Sequence, residues 1–454
     1  MPDAMFTFPQ GFLWGTATSS HQVEGGNTRN DWWAFEHLQD GGVYDNHVSG
    51  DAAGWWEGEA EGDIERMREL NTNTHRLSVE WSRIEPVAGR WNYEALDRYR
   101  EILTAMRKAG IKPMVTLHHF TNPQWMADRG GWAHPESAEW FRRVAAKVVG
   151  DLADLTDLWC TINEPNIYAA QSYFAGLWPP RQQNITRYFQ VVRNMVHAHA
   201  QAYTAIHDVQ PGAQVGLAKH MIDWHPMNPS SPLDRLMSNL LDSFFNGITL
   251  EVLATGEWKP LIGRNETIGE AKNSLDWIGL NFYQRLDAFF DPSNLKGLGI
   301  GYQARPGAPT GPEAWGELSP PSLLPLIRRL FETLNVPLYI TENGMPDEHD
   351  TNRPGHLLQS LYWVWKACMH NYPVRGYYFW SLVDNFEWAE GYDPRFRFGL
   401  YGVDFATQAR TRRDSARLYA EVCAANGFIT QMARTYAPDV VDELFPGGGD
   451  QPST

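Results

Sequence analysis

The stretch LWCTINEPN, residues 158–166, begins as an apolar run suited to a buried strand and ends on Glu164, which is followed by proline. A second run of the same kind, PLYITENG at residues 337–344, ends on Glu342. Runs of this type are typical of strands that are buried on both faces, so each glutamate is predicted to stand at the tip of a strand. A fold that gathers the tips of distant parallel strands would bring both carboxylates into one site.

Short β-type runs recur along the whole chain, and helical patterns separate them. The best helical pattern begins at residue 93, where Leu96, Tyr99, Ile102 and Leu103 share one apolar stripe and Gly110 follows as a stop signal. Strands that alternate with helices predict a single (β/α)8 TIM barrel of the α/β class, with long strand-to-helix loops. The eight predicted strands are LWGTATSS near 13, THRLSVEW near 74, KPMVTLHH near 112, LWCTINEP near 158, QVGLAKHM near 214, DWIGLNFY near 276, PLYITENG near 337 and RGYYFWSL near 375.

The pattern continues without a linker, so residues 1–445 are predicted to form one catalytic domain. The last nine residues, PGGGDQPST at 446–454, contain almost no apolar surface to bury. We expect them to form a flexible C-terminal tail.

Composition excludes several classes of partner. The chain has 454 residues and a formal charge of -16, which disfavours nucleic acid and anionic membranes. It contains no apolar run long enough to span a membrane, and its first residues lack a signal-peptide pattern, so a cytoplasmic location is expected. The oligomeric state stays open at this level.

Two carboxylates at one barrel mouth suit a particular chemistry. Active sites of such barrels lie at the carboxyl ends of the strands. Glycoside hydrolysis needs a pair of carboxyl groups, one to protonate the departing oxygen and one to attack the sugar or activate water. The chain also contains 20 tryptophans, and rings such as Trp380 and Trp388 can lie against a sugar.

Five stretches in order resemble glycoside hydrolase family 1, the β-glucosidase family. They are FLWGTATSSHQVEGG (12–26), HRLSVEWSRIEP (75–86), TINEPN (161–166), ITENG (340–344) and WSLVDNFEWAEGYDPRFRFGLYGVDF (380–405). The resemblance implies a retaining, exo-acting β-glycosidase with Glu164 as acid/base and Glu342 as nucleophile. It implies small β-glycosides or oligosaccharides as substrates, and no cofactor or metal. It also places around the sugar the residues Gln22, His119, Phe120, Asn163, Asn281, Tyr283, Trp380, Glu387, Trp388 and Phe398.

The two glutamates need different environments for these roles. Arg76, at the end of a predicted strand, and Tyr283 are expected to hold Glu342 ionised. Apolar surroundings and the charge of Glu342 are expected to raise the pKa of Glu164.

The choice of sugar depends on a few positions. Family members commonly have tryptophan after the histidine that corresponds to His119, whereas this chain has Phe120, which lacks an indole N–H. Activity on β-glucosides, and also on β-fucosides and β-galactosides, is therefore expected. The intact DNFEW stretch disfavours a 6-phospho-β-glucosidase. Transglycosylation, in which a sugar or alcohol replaces water as acceptor, stays open as an alternative.

A metal-dependent hydrolase is the chemical rival. His118 and His119 are adjacent, but neighbouring residues of a strand point to opposite faces and cannot share one ion. The acidic run at 347–350 is typical of a solvated loop.

Overall fold

Eight parallel strands close into a barrel in the computed structural model, which describes residues 4–39, 41–294, 299–313 and 315–446. The described residues form fifteen strands, which are β1 (Met5–Thr7), β2 (Leu13–Ala17), β3 (Thr74–Ser78), β4 (Lys112–His118), β5 (Leu158–Asn163), β6 (Gln214–Pro226), β7 (Glu257–Trp258), β8 (Glu266–Thr267), β9 (Trp277–Phe290), β10 (Ile300–Gln303), β11 (Leu338–Asn343), β12 (Val374–Trp380), β13 (Tyr401–Val403), β14 (Arg410–Arg412) and β15 (Gly427–Ile429).

The barrel runs in the order β2-β3-β4-β5-β6-β9-β11-β12, and β12 pairs with β2 to close it. These eight strands are the eight that the sequence predicts, so the predicted TIM barrel is confirmed. Small and medium side chains such as Ala17, Met114, Cys160 and Ala218 fill its interior. Both glutamates therefore stand at the same end of the barrel, after the fourth and at the end of the seventh strand.

Helices surround the barrel and bury their apolar stripes against it. They are α1 (Ser20–Val23), α2 (Asp31–Glu36), α3 (Ala60–Glu69), α4 (Trp81–Ile84), α5 (Tyr93–Lys108), α6 (Gln124–Ala127), α7 (Ser137–Leu152), α8 (Pro165–Ala169), α9 (Ile185–Val209), α10 (Pro232–Asp242), α11 (Ile248–Thr255), α12 (Leu323–Leu334), α13 (Arg353–Met369), α14 (Asp414–Ala425), α15 (Thr430–Tyr436) and α16 (Val441–Leu444).

The local signals that delimit α5 act as the sequence predicts. The Asn92 side chain accepts a hydrogen bond from the Ala95 N–H at the helix start, and Gly110 has a φ of +79° just beyond its end. The predicted apolar stripe of α5 is buried.

Two barrel strands continue past the mouth, which the sequence does not predict. β6 and β9 stay paired as far as Pro226 and Ala288, and β10 adds to the outer part of β9 as an antiparallel strand. This extension forms a wall above one side of the barrel mouth.

Three further features concern the cysteines, membrane-spanning helices and the predicted tail. All three cysteines are buried free thiols. Within the described ranges, no helix combines the length and the apolar character that a membrane span requires. Residues 447–454 of the predicted tail lie outside the described residues, so the boundary after residue 445 stays a prediction.

Candidate active site

Glu164 occupies a backbone conformation that aims its carboxylate into the barrel mouth. It follows β5 with a φ of +45°, in the left-handed region that residues other than glycine seldom adopt. Its N–H donates to the Ala218 carbonyl at 2.8 Å, and Pro165 opens α8 immediately afterwards. The strand ladder and the rigid first turn of the helix together hold this geometry.

Glu342 lies within β11 and is held by two donors from other strands. Arg76 of β3 forms a buried ion pair with its Oε1, and the Tyr283 hydroxyl of β9 donates to its Oε2 at 2.8 Å. Arg76 also donates to Asn163 Oδ1 at 2.6 Å. Both contacts that the sequence predicts for Glu342 are therefore present.

Glu164 has different neighbours, although it faces the same space. The Asn281 amide donates to Glu164 Oε1 at 2.6 Å, and His220 Nδ1 lies 3.2 Å from the same oxygen. One oxygen of Glu164 is therefore engaged on the side of β6 and β9.

The predicted order of the two pKa values is wrong in this structure. Burial raises the pKa of Glu342 to about 7, because the attraction of Arg76 only partly offsets desolvation and the charge of Glu164 raises it further. Burial also raises the pKa of Glu164, but His220, Asn281 and Arg76 outweigh it and bring that pKa below its ordinary value. The sequence analysis did not include His220, which contacts Glu164 from β6.

A cavity of about 390 Å³ connects the two glutamates to the surface. Nine of the residues predicted for the site line it, namely His119, Phe120, Glu164, Tyr283, Glu342, Trp380, Glu387, Trp388 and Phe398. The other four lie behind this lining and hydrogen-bond to it: Arg76 to Glu342, Asn281 to Glu164, Gln22 to Glu387 and Asn163 to His119.

Gln22 is more deeply placed than the sequence suggests. It is fully buried, and its amide nitrogen lies 3.0 Å from Asn385 Oδ1, 3.0 Å from the Phe386 carbonyl and 3.2 Å from Glu387 Oε2. Gln22 therefore orients Glu387 in this structure. Burial and nearby carboxylates raise the pKa of Glu387 well above its ordinary value.

Aromatic rings form the inner end of the cavity. The ring of His119 lies nearly parallel to those of Trp380 and Trp388, with ring centroids 5.9 and 6.1 Å away and interplanar angles of 17° and 12°. Phe120 packs against Trp178 at 4.9 Å and Trp388 at 5.1 Å. Burial and Arg76 lower the pKa of His119 well below its ordinary value, so its ring is neutral near pH 7.

The two adjacent histidines separate as the strand geometry requires. His118 points outward, where its Nε2 lies 3.1 Å from both Asn122 Oδ1 and Trp132 Nε1, whereas His119 faces the cavity. In the part of the chain that the structure describes, no three His, Cys, Asp or Glu side chains form a group able to hold a metal ion.

Many residues that line the cavity were missed from the sequence, among them His220, Trp224, Gln284, Trp315 and Glu390. A signal existed for two of them. In QVGLAKHMIDWHP, alternate residues of one strand share a face, so Ala218, which faces the barrel interior, places His220 and Trp224 on the site side. Trp315 lies in a loop and packs on Tyr283 and Phe398 at 5.5 and 5.3 Å, which no local pattern predicts.

Comparison with known proteins decides the family. The model of the family described as "Glycosyl hydrolase family 1" matches residues 4–428, most of the chain. The chain belongs to glycosyl hydrolase family 1. It is an O-glycosyl hydrolase of the β-glycosidase type, as the sequence predicts.

Relatives of this family 1 chain are similar over nearly their whole length. The chain is 31% identical to beta-glucosidase A from Thermotoga maritima, with 92% of this chain and 98% of that protein aligned. It is 31% identical to a beta-galactosidase from Pyrococcus woesei over the same shares of the two chains. Among solved structures, a beta-glycosidase from Pyrococcus horikoshii has a TM-score of 0.88 and 32% identity, covering 95% of this chain and 98% of that one.

A second solved structure holds a ligand. The beta-glucosidase from Thermotoga maritima in complex with glucoimidazole has a TM-score of 0.87 and 31% identity, covering 93% of this chain and 100% of that one.

Proposed function

We propose that this family 1 enzyme is a retaining, exo-acting β-glycosidase that removes terminal β-D-glucosyl residues, and also β-D-fucosyl and β-D-galactosyl residues. One observation carries the proposal: two buried carboxylates from the fourth and seventh barrel strands face one cavity, and each has its own set of donors. A retaining glycosidase needs two such carboxyl groups with different roles. The relatives named beta-glucosidase and beta-galactosidase support both the reaction and the sugars.

Glu342 is proposed as the nucleophile that attacks the anomeric carbon. Arg76 and Tyr283 fix its two oxygens from opposite strands, so the attack needs little reorientation of the carboxylate. As the bond to the sugar forms, the charge on Glu342 is lost and the leaving oxygen takes a proton from Glu164. The product of this step is a covalent glycosyl-enzyme.

Glu164 is proposed as the acid in that step and as the base in the next one. The reactive form carries one proton on the pair, with that proton on Glu164. Its hydrogen bond to the glycosidic oxygen of a bound substrate favours the protonated carboxyl group. Once Glu342 is esterified, its negative charge no longer acts on Glu164, which then accepts a proton from the attacking water.

The inner end of the cavity is proposed to bind the sugar. Glu387 and His119 supply hydrogen-bonding atoms, with Asn163 behind His119, and Trp380 and Trp388 supply ring faces. Phe120, Trp178 and Trp388 pack together at this end, which suits a sugar with no further residue attached to it. This closure supports the proposed exo action. Phe398 borders the site beside Tyr283 at 6.0 Å.

Of the two alternative functions, a 6-phospho-β-glucosidase is disfavoured and transglycosylation is kept. Among the described residues that line the cavity, there is no lysine or arginine to receive a phosphate, which disfavours a 6-phospho-β-glucosidase. Transglycosylation uses the same glycosyl-enzyme, with a sugar or alcohol in place of water, and the outer cavity has room for such an acceptor. It is kept as the second candidate.

An initial-rate panel tests the proposal. Aryl β-D-glucoside, β-D-galactoside, β-D-fucoside, β-D-mannoside and 6-phospho-β-D-glucoside with the same leaving group are compared by kcat/KM, together with the α-D-glucoside. We expect the glucoside, fucoside and galactoside to be cleaved. A preference for the phosphorylated or the α-linked substrate would overturn the proposal.

A further inference from the structure

The cavity continues outward from the two glutamates into a second space that the proposed reaction does not use. We call it the outer chamber and define it by Phe174, Leu177, Ile222, Trp224, Phe244 and Tyr302, all of which line the cavity. Three of these side chains are exposed at the rim: Phe174 to 40%, Leu177 to 58% and Tyr302 to 58%. The chamber is thus the entrance of the site and lies where the part of a substrate beyond the sugar must pass.

The length of the chamber follows from the extension of β6. Alternate residues of this strand, His220, Ile222 and Trp224, line the cavity in succession. A strand rises about 3.3 Å per residue, so Trp224 stands about 13 Å beyond His220. His220 contacts Glu164, so the wall extends from the reacting groups over roughly the length of two or three fused or linked rings.

This wall is a continuous row of aromatic rings. From the rim inward, Tyr302 contacts Trp224 at 5.8 Å, Trp224 contacts Phe245 at 6.4 Å, and Phe245 contacts His220 at 5.8 Å, all near perpendicular. His220 then stacks on Tyr283 at 5.8 Å, and Tyr283 donates to Glu342. Ring edges and faces of this kind favour flat aromatic groups.

The opposite side of the chamber is also apolar. Phe174 packs on Phe244 at 5.4 Å, and Ile167, Ala170 and Leu241 also lie on this side, where Gln171 is the polar exception. A second sugar unit would place its hydroxyl groups against these carbon surfaces and leave several of them without partners. An oligosaccharide is therefore a poor match for the chamber.

A few polar atoms interrupt the apolar surface. His220 Nε2, Trp224 Nε1 and Gln284 Oε1 are buried and have no partner among the described residues, and all three side chains line the cavity. Buried polar atoms of this kind are normally paired, so they are suited to one or two hydroxyl groups of a ligand. The described lining contains no lysine or arginine, so an anionic group meets no permanent positive charge there.

From these observations we infer that the outer chamber binds a neutral aromatic aglycone of about two rings that carries a hydroxyl group. This inference rests on the proposed function, because it names the leaving group of the same substrate. The natural substrates are then β-glycosides of phenolic compounds, with the sugar at the inner end and the rings along β6.

Calorimetric binding of S-linked glucosides, which the enzyme does not readily cleave, tests the inference without relying on turnover. The three ligands are phenyl 1-thio-β-D-glucoside, its 4-biphenylyl analogue and S-linked thiocellobiose. The biphenylyl compound is expected to have a Kd at least about tenfold lower than the phenyl compound, because the second ring buries apolar surface. It should also bind more tightly than thiocellobiose.

Two variants and a control locate the effect. The gain from the second ring is the Kd of the phenyl compound divided by that of the biphenylyl compound. Trp224→Ala and the exposed-site variant Tyr302→Ala are each expected to reduce this gain to below about threefold. Trp363→Ala removes a tryptophan from α13, where it packs near Lys366 outside the barrel, and should keep the full gain. A 4′-hydroxyl group on the outer ring is expected to lower Kd further, by about two- to tenfold.

Three results would each overturn the inference. The phenyl and biphenylyl compounds could bind equally, thiocellobiose could bind most tightly, or Trp363→Ala could lose as much of the gain from the second ring as the two chamber variants do. Weaker binding of the hydroxylated compound would overturn the part that concerns the hydroxyl group. Hydrolysis of phenyl β-D-glucoside is measured separately. If phenyl β-D-glucoside is not hydrolysed, the proposed function is contradicted. If it is hydrolysed but the biphenylyl compound does not bind more tightly than the phenyl compound and thiocellobiose, only the inference about the aglycone is contradicted.

Discussion

Nδ1 of His220 lies 3.2 Å from Oε1 of Glu164, so the proposed acid/base has a second titratable group beside it. Glu164 follows the end of β5, and His220 lies within the adjacent strand β6. Other groups near His220 are Tyr283, which stacks on its ring, and Lys219, whose ammonium donates to the His220 carbonyl. Glu164 is the carboxylate that contacts the imidazole directly.

Replacing His220 is expected to change the pH dependence of the reaction. His220 is one of the groups that lower the pKa of Glu164, so His220→Phe should raise that pKa and move the acid limb of the kcat/KM profile to higher pH. His220→Asn, which keeps an amide donor, should move the acid limb by a smaller amount. A similar change at His225, a half-buried residue of the same strand paired with Asp223, serves as the control. Superimposable profiles for His220→Phe and the parent would contradict the assignment.

The parent enzyme is expected to show a bell-shaped pH profile. The reactive form needs one proton on the carboxylate pair, and the pair loses that proton with an apparent pKa of about 7, the value for Glu342 in this structure. It gains a second proton only below the ordinary glutamate value, because the pKa of Glu164 is lowered. Activity should therefore fall as pH rises through about 7 and as pH falls below about 4.5. A flat profile between pH 4 and pH 9 would rule out this pair.

How much of this site follows from the sequence depends on the kind of pattern involved. The eight barrel strands are predictable because each is a short apolar run between helical patterns, and Glu164 and Glu342 follow from their places at the ends of two runs. The pattern of β6 places His220 on the site side, but its contact with Glu164 is not predictable, because it depends on how the end of β5 aligns with the middle of β6. Gln22 is similar: its residue type suggests a sugar contact, but the loop after β12 places it behind Glu387.

Two further expectations stay predictions. One is the retaining mechanism, which the family and the carboxylate pair support. The other is the cytoplasmic location.

Phe120→Trp is expected to alter the choice of sugar. Phe120 lines the inner end of the cavity, and an indole there adds a donor N–H. The ratio of kcat/KM for β-glucoside over β-galactoside should change by about 1 to 2 kcal/mol in transition-state binding, the scale of one hydrogen bond. Phe331→Trp on α12, which packs against Tyr372, is the matched control and should leave the ratio unchanged. An unchanged ratio in Phe120→Trp would mean that this position does not touch the sugar.

Arg413→Met is expected to damage both stability and activity. Arg413 donates through both terminal nitrogens to the buried Asp384 at 2.7 Å each, and Asp384 also accepts from the Gly399 N–H at 2.9 Å. This contact ties together the loop that carries Glu387, Trp388 and Phe398. Removing one partner leaves a buried charge and should cost about 3 to 5 kcal/mol, measured by denaturant unfolding.

The control for that variant is Arg417→Met, which breaks an exposed ion pair with Asp414. Exposed pairs contribute about 0 to 1 kcal/mol, so little change is expected in either stability or kcat/KM. Equal effects of the two variants would mean that the Asp384 contact does not support the site.

The roles of the two glutamates are tested most directly by the stereochemistry of azide rescue. In Glu342→Gly, azide is expected to enter the space left by the nucleophile and displace an activated β-linked leaving group once, which gives an α-glycosyl azide. In Glu164→Ala, Glu342 still forms the glycosyl-enzyme and azide completes a second inversion, which gives a β-glycosyl azide. Proton NMR of the anomeric coupling in the two products is the deciding measurement. The α product from Glu342→Gly with the β product from Glu164→Ala would support the assignment, whereas the same anomer from both variants, or the reverse pair, would contradict it.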